Sequence, residues 1–139
     1  MIQFDSQIDF QLENEQDIKT WIESIVVSEG FKLGEILYIF CDDDFLHDIN
    51  VKFLNHDTLT DIITFDYNLG KQINSEIYIS IPRVKENAQS FKTTFENELH
   101  RVIIHGILHL CGYKDETDSQ QTEMRLKEDS ALRKLILST

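Results

Sequence analysis

Two histidines and an aspartate near the end of the chain have a spacing that suits a metal ion. His105 and His109 are four residues apart, so on a helix both imidazoles project from one face, about 5–6 Å apart. Gly112 can adopt the left-handed conformation that ends a helix, and the returning chain would bring Asp115 towards the same ion. Three protein ligands leave a coordination position for water, which is typical of a catalytic metal site.

The pattern H-x3-H-x2-G-x2-D therefore predicts metal binding. Neutral imidazoles and a carboxylate suit one Zn²⁺ per chain best, while Fe²⁺, Ni²⁺ and Mn²⁺ stay open. On this interpretation the catalytic group is a water on the metal that His105, His109 and Asp115 hold. His100 lies roughly 140° from His105 around a helix and is not expected to share the ion.

The histidine spacing also occurs in metzincin-type metalloproteases, where the residue after the first histidine is the glutamate that acts as general base. Here that residue is Gly106. Because loss of such a base typically costs ~10²–10⁴-fold in rate, peptide hydrolysis is disfavoured. Asp61 and Glu116 are possible proton acceptors, but Asp61 also fits the cap of a strand or turn and Glu116 the start of the last helix, so the role is assigned to neither.

The elements that would position these residues can be predicted from apolar periodicity and from turn residues. In chain order they are a strand over 2–10, a helix from Asn14 to Gly30, a strand over 36–41, a helix over 42–53, strands over 60–67 and 77–81, and helices over 82–91, 93–111 and 117–137. Residues 55–59 are expected to form a loop. The strands over 60–67 and 77–81 are expected to pair as a hairpin. The helix before Gly112 is apolar on nearly every face, so we expect it to be a buried central helix that binds the metal. The fold class is α/β, an α+β sandwich with a single small mixed sheet of about four strands and about five helices. Without a linker or repeat, residues 1–139 are predicted to form one domain.

Composition restricts the class of protein. The chain has 13 basic and 25 acidic residues, a net charge of −12, which argues against long-range capture of nucleic acid. Residues 1–50 hold 12 of the acids and only two bases. The rest of the chain can therefore still form a near-neutral functional face.

No stretch approaches the roughly 20 apolar residues of a membrane span, and residues 1–10 lack a signal-peptide pattern, so we expect a cytoplasmic protein. Cys41 and Cys111 are expected to be reduced, small buried hydrophobes.

The segment from His105 to Asp115, HGILHLCGYKD, resembles the signature H-G-x-L-H-L-x-G-Y-x-H of the YbeY endoribonuclease family. Upstream, TDIITF at residues 60–65 is similar to the family's T-D-V-L-S-F segment, and the segment that ends with Ser75, Glu76 and Ile77 is similar to its L-G-D-I strand. Element order, length and motif spacing agree over essentially the whole chain.

The resemblance implies a zinc-dependent endoribonuclease that is directed at single strands. It implies that the protein acts in the cytoplasm on the 3′ end of 16S ribosomal RNA and in ribosome quality control. The implied partners are ribosomal RNA and the small ribosomal subunit, and neither a membrane nor DNA is expected as a partner.

This chain departs from the family pattern at two positions. The family's third histidine is Asp115, whose negative charge reduces the Lewis acidity of the ion. The arginine of its N-x-x-Y-R-x-x-D-x-x-T-D stretch, which contacts phosphate in the family, is Leu54, and a leucine cannot bind phosphate.

Other basic residues are candidates for the contact with RNA phosphate that the family's arginine makes. Lys52 and His56 lie near Leu54 in the sequence, and Lys114 precedes Asp115, although each also fits a solvated surface residue. A further candidate patch for single-stranded RNA, or simply the solvated face of a helix, consists of Arg83, Lys85, Phe91 and Lys92.

Two alternative functions stay open. One is a non-catalytic ribosome-assembly factor in which the metal only stabilises the fold, which Leu54 and Asp115 favour. The other is a metalloprotease-like hydrolase of peptides or small molecules, which Gly106 disfavours.

Overall fold

The fold is built on a four-stranded mixed β-sheet with helices on both of its faces. The computed structural model describes residues 1–54 and 60–137. Its elements, in chain order, are β1 Ile2–Ser6, α1 Glu15–Ser28, β2 Lys32–Cys41, α2 Asp43–Leu54, β3 Ile62–Asp66, β4 Gln72–Ser80, α3 Ile81–Ser90, α4 Phe95–Leu110 and α5 Asp118–Arg133. The predicted α/β class, with four strands and five helices in this order, is confirmed for the described residues.

The strands lie in the order β1-β2-β4-β3. Strand β2 pairs in parallel with both β1 and β4, and β3 pairs antiparallel with β4 as the predicted hairpin. Alternate residues of β4 enter the main core, because side chains of a strand point to opposite faces of the sheet in turn. These core residues of β4 are Ile73, Ile77 and Ile79.

Some element ends differ from the sequence prediction. Strand β4 begins at Gln72 and contains Asn74, whereas the sequence predicts a strand only from residue 77 and Asn74 is by type a turn residue. The Asn74 Oδ1 accepts a hydrogen bond from the Glu35 backbone N–H at 2.9 Å, so a tertiary contact with β2 overrides its local turn preference. Strand β1 ends at Ser6 rather than near residue 10, and α5 ends at Arg133 rather than near residue 137. The predicted loop at 55–59 lies outside the described residues.

Helix α4 occupies the interior, as predicted. It packs against β3, β4, α1, α3 and α5, and Ile103, Ile104 and Ile107 on it are fully buried. Burying each such side chain contributes about 1.5–3 kcal/mol. The buried Tyr38 hydroxyl of β2 donates to the Ile103 carbonyl at 3.0 Å, which fixes the helix on the sheet. Side chains on α4 are therefore held on a rigid support.

Helix α2 covers part of the opposite face of the sheet. Its Leu46 and Ile49 pack with Cys41 and Ile63 in a second, smaller core cluster.

The two cysteines, Cys41 and Cys111, are free thiols. Cys41 is buried as expected, while Cys111 is only half-buried. Within residues 1–54 and 60–137, no helix has both the length and the apolar character needed to cross a bilayer.

Candidate metal centre

The three predicted ligands lie together at the end of α4. The His105 and His109 rings have centroids 4.4 Å apart. The Nε2 atom of His105 is 3.4 Å from Oδ2 of Asp115, and Nε2 of His109 is 3.3 Å from the same oxygen. One donor atom from each residue lies within 4.8 Å of the other two, so the three side chains could hold one metal ion.

The turn after α4 brings Asp115 to the two histidines. Gly112 has φ +103°, a conformation that an L-residue with a Cβ rarely adopts. Its N–H donates to the His109 carbonyl at 3.0 Å, and the Tyr113 N–H donates to the Leu108 carbonyl at 3.1 Å. These two bonds form a Schellman motif, which ends the helix and reverses the chain. The predicted role of Gly112 is thereby confirmed.

Both imidazoles are oriented through their Nδ1 atoms. Nδ1 of His109 lies 2.9 Å from the Tyr113 carbonyl oxygen, which the same turn presents to it. Nδ1 of His105 lies 2.6 Å from Oε2 of Glu128 on α5. Because these partners accept hydrogen bonds, Nδ1 carries the proton and Nε2 keeps its lone pair for a metal.

Sequence reasoning missed Glu128. Its side chain is 5% exposed, and its Oε1 accepts a hydrogen bond from Arg101 at 2.9 Å. Arg101 also donates to Asp129 at 2.7 Å. A signal was present: Met124, Glu128 and Ala131 form the buried stripe of α5, and a carboxylate at the centre of such a stripe requires a partner.

The charge of Glu128 acts directly on His105. Burial lowers the pKa of the His105 imidazole, but the hydrogen bond and charge of Glu128, with the charge of Asp115, outweigh it, so this pKa lies above its usual value. The imidazole is therefore more basic than usual, and a more basic imidazole is a better metal ligand.

A cavity of about 560 Å³ opens in front of the three donors and is lined by all of them. Asp61 also lines it, with Oδ2 accepting a hydrogen bond from Asn87 at 3.3 Å. Burial is the main reason why the pKa of the Asp61 carboxyl is raised. Glu116, the other suggested proton acceptor, is exposed and does not line this cavity.

The donor set fits a divalent metal ion. Ligand atoms of a tetrahedral ion with bonds of about 2.0–2.1 Å are about 3.3–3.4 Å apart, and the two N–O separations are 3.4 and 3.3 Å.

The residue after the first histidine does not fit a glutamate-dependent protease. A Cβ on Gly106 would lie 3.1 Å from both Ile62 Cδ1 and Thr64 Oγ1, so this position faces the sheet.

The candidate RNA contacts are scattered. Leu54 lines the cavity and is 40% exposed, so it occupies a place from which an arginine would reach a substrate. Lys52 and Lys114 are exposed and do not line the cavity. His56 lies outside the described residues. Arg83 of the suggested helix patch is bound by Asp43 at 2.8 Å and by Glu86 at 2.8 Å.

His100 does not join the ligands, as expected. Its ring lies edge-on to the ring of Trp21, with the centroids 6.3 Å apart. Burial lowers the pKa of the His100 imidazole. This histidine therefore belongs to the packing between α1 and α4 and not to the metal centre.

Comparisons with known proteins agree with this geometry. A family model described as Endoribonuclease YbeY matches residues 2–136. Proteins named Endoribonuclease YbeY from Flavobacterium psychrophilum and Flavobacterium johnsoniae are 55% and 53% identical to this chain, over 96% and 95% of it and 95% of each relative. A solution structure of a Thermotoga maritima protein matches with a TM-score of 0.71 and 32% identity, covering 97% of this chain and 89% of the other. Sequence, fold and site thus place the chain in the YbeY endoribonuclease family.

Proposed function

We propose that this chain is a metal-dependent endoribonuclease that acts in the maturation of ribosomal RNA. The observation that carries the proposal is the arrangement of donors: both Nε2 atoms point to the same Asp115 oxygen, 3.4 and 3.3 Å away, at the wall of an open cavity. His105, His109 and Asp115 are 22%, 31% and 41% exposed. They are therefore accessible to a substrate, unlike the closed ligand set of a structural metal site.

Zn²⁺ is the ion that we propose for this centre. Two neutral imidazoles and one carboxylate are ligands that zinc accepts. The N–O separations of 3.4 and 3.3 Å match the edge of a small tetrahedral coordination sphere.

Each residue of the site has a distinct task in cleaving a phosphodiester bond. A bound divalent ion supplies Lewis acidity towards a phosphoryl oxygen and makes a water more acidic. His105, His109 and Asp115 hold the ion, while Glu128 and the Tyr113 carbonyl keep the imidazoles in the correct tautomer and orientation. Asp61, which is half-buried in the cavity, offers a carboxylate that can hold a proton beside the substrate.

The substrate we propose is a single-stranded segment at the 3′ end of 16S ribosomal RNA in the small ribosomal subunit, cut during maturation or quality control in the cytoplasm. An open cavity with half-exposed donors can admit an unpaired strand. The net charge of −12 gives the free protein little attraction for RNA over distance. Binding to a ribosomal particle would supply the RNA at high local concentration.

Metal content and RNA cleavage, measured in the same samples, test this function. Wild type is compared with His109→Ala, Asp115→Ala and Asp115→His by elemental analysis and by cleavage of a single-stranded RNA, with a DNA of the same sequence alongside. Glu116→Ala is the matched control, because Glu116 is an exposed acid next to Asp115 that lines no part of the cavity.

We expect about one zinc per chain in wild type, Glu116→Ala and Asp115→His. His109→Ala and Asp115→Ala should lose the metal and at least ~10²-fold of the cleavage rate. Stoichiometric metal without any RNA cleavage would favour a non-catalytic assembly factor instead. Peptide turnover without action on RNA would favour a protease-like hydrolase.

A further inference from the structure

A second cavity, of about 290 Å³, adjoins the candidate metal centre. It shares His105, Asp115, Asp61 and Ile62 with the first cavity, so the two meet at the metal ligands. Its other wall is formed by α4 and α5, and Arg125 of α5 lines it. Arg125 also lines a separate depression farther along the surface of α5. Arg125 is thus accessible both from the cavity that adjoins the metal ligands and from the surface of α5.

The two arginines of this cavity are in different electrostatic states. Arg101 is 13% exposed and is bound by Glu128 and Asp129, so its charge is already compensated. Arg125 is exposed, and within residues 1–54 and 60–137 it makes no hydrogen bond or ion pair. Among those residues no acceptor engages its guanidinium, and its charge partly offsets the rise that burial causes in the pKa of the Glu98 carboxyl.

The charge distribution of the cavity limits where an anion can lie. Four carboxylic acids and two arginines line it, and among the acids Glu98 and Glu128 are buried. An anion would be repelled from this interior. At Arg125, which is exposed, a phosphate would instead meet a cation in the cavity that His105 and Asp115 also line.

We propose that Arg125 binds a backbone phosphate of single-stranded RNA adjacent to the bond that is cut. This inference rests on the proposed function. A guanidinium can bind two phosphate oxygens at once, a geometry that suits a flexible strand. Leu54 on the wall of the first cavity has no donor for such a contact, so Arg125 supplies the protein cation from the other side of the metal ligands.

The dependence of RNA binding on salt tests the inference, because each phosphate contact on a single strand contributes about −0.7 to the slope of log K against log salt. The metal-loaded protein is titrated with a labelled single-stranded RNA over a series of salt concentrations. Arg125→Ala, Arg125→Gln and Arg125→Lys are compared with Arg133→Ala. Arg133 is the matched control, since it is an exposed arginine of the same helix that lines neither cavity.

We expect Arg125→Ala and Arg125→Gln to make the slope of log K against log salt less negative by about 0.7. Both variants should bind the RNA about tenfold more weakly. The KM for cleavage should rise while kcat changes little, because the contact is made before the chemical step. Arg125→Lys should retain the slope, and Arg133→Ala should behave as wild type. Melting temperatures of all variants should stay close to wild type, since Arg125 is exposed and its charge acts on Glu98 without an ion pair among the described residues.

An unchanged slope and KM in Arg125→Ala would overturn this inference while leaving the proposed function intact if wild type cleaves RNA. An equal effect of Arg133→Ala would also overturn it, by showing that only net charge matters. If metal-loaded wild type neither binds nor cleaves RNA, both the proposed function and this inference fail.

Discussion

Glu128 of α5 lies 2.6 Å from Nδ1 of His105 on α4, and this contact ties the two helices together at the candidate metal centre. The Glu128 side chain is buried, and its other oxygen accepts a hydrogen bond from Arg101 at 2.9 Å. A buried carboxylate with two such partners cannot turn freely. It therefore fixes the orientation of the His105 ring and makes Nε2 a better donor to a metal.

Glu128→Gln is expected to weaken zinc binding by about 10–100-fold, the usual effect of changing the partner of a metal-bound histidine. A neutral amide accepts the hydrogen bond less strongly than a carboxylate, so the imidazole becomes a poorer donor to the metal. The affinity is measured by competition with a fluorescent chelator at neutral pH.

Asp129→Asn is the matched control for that measurement. Asp129 also accepts a hydrogen bond from Arg101, at 2.7 Å, but it makes no contact with His105. Its amide variant should keep the zinc affinity of wild type. Equal losses in the two variants would mean that Arg101, and not the contact with His105, controls the metal site.

Gly112→Ala is expected to destabilise the protein by about 1–3 kcal/mol and also to weaken zinc binding. The position has φ +103° with no atom within 4 Å of an added Cβ, so the cost comes from backbone conformation rather than from a clash. A shift of the turn would move Asp115 and the Tyr113 carbonyl, both of which belong to the site. Urea denaturation and chelator competition measure the two effects.

Gly30→Ala separates strain from site geometry. Gly30 has φ +84° and also has open space around it. It lies in the turn after α1 and supplies no candidate ligand, although the neighbouring Glu29 accepts a hydrogen bond from the Tyr113 hydroxyl at 2.6 Å. We expect a similar loss of stability with unchanged zinc affinity. A loss of affinity in Gly30→Ala as large as that in Gly112→Ala would contradict a special role of the Gly112 turn, because metal binding would then follow global stability or the contact between Glu29 and Tyr113.

The fold was predictable wherever local signals and tertiary contacts agree. The apolar α4 is buried, and Thr94 caps its first turn by accepting from the Asn97 N–H at 3.1 Å, close to where the sequence places a helix start. Predictions failed where distant contacts decide. Asn74 prefers a turn locally, but its side chain binds the backbone of β2, so β4 begins several residues earlier than its apolar run indicates.

The site was predictable as far as its residues are close in sequence. His105, His109 and Asp115 fall within two helical turns and a glycine stop, so local geometry alone brings them together. Glu128 comes from another helix, and its contact with His105 depends on how α5 packs on α4. The same holds for Arg125, which no motif marks and which reaches the centre only through the shared cavity.

His100 should make stability fall at acidic pH. Burial lowers the pKa of its imidazole below the ordinary value of 6.5, so the unfolded chain binds a proton more readily than the folded protein. The penalty is absent above about pH 6.5 and grows as the pH falls towards the pKa of the folded state. His100→Gln should therefore lose less stability than wild type between neutral and acidic pH.

Urea denaturation of metal-free wild type and His100→Gln, at a series of pH values, measures this difference. Metal-free protein is used so that release of an ion at low pH does not contribute. The variant can differ from wild type by a constant amount at neutral pH, because the contact with Trp21 is changed. Parallel curves down to acidic pH would contradict the prediction.

Leu54→Arg is expected to strengthen binding of single-stranded RNA. Leu54 is 40% exposed at the end of α2 and lines the first cavity, so a guanidinium there would reach a phosphate beside the metal ligands. One added contact should make the slope of log K against log salt more negative by about 0.7. Titration of the metal-loaded protein with a labelled RNA measures the slope.

Phe53→Arg is the control, because Phe53 is 69% exposed on the same helix but lines neither cavity. It adds the same charge and should leave the slope close to that of wild type. Combining Leu54→Arg with Arg125→Ala should return the slope to the wild-type value, since one contact is gained and another lost. A slope in Leu54→Arg equal to that of Phe53→Arg would mean that the strand does not pass over α2, and the RNA path would then lie on the α5 side of the metal centre.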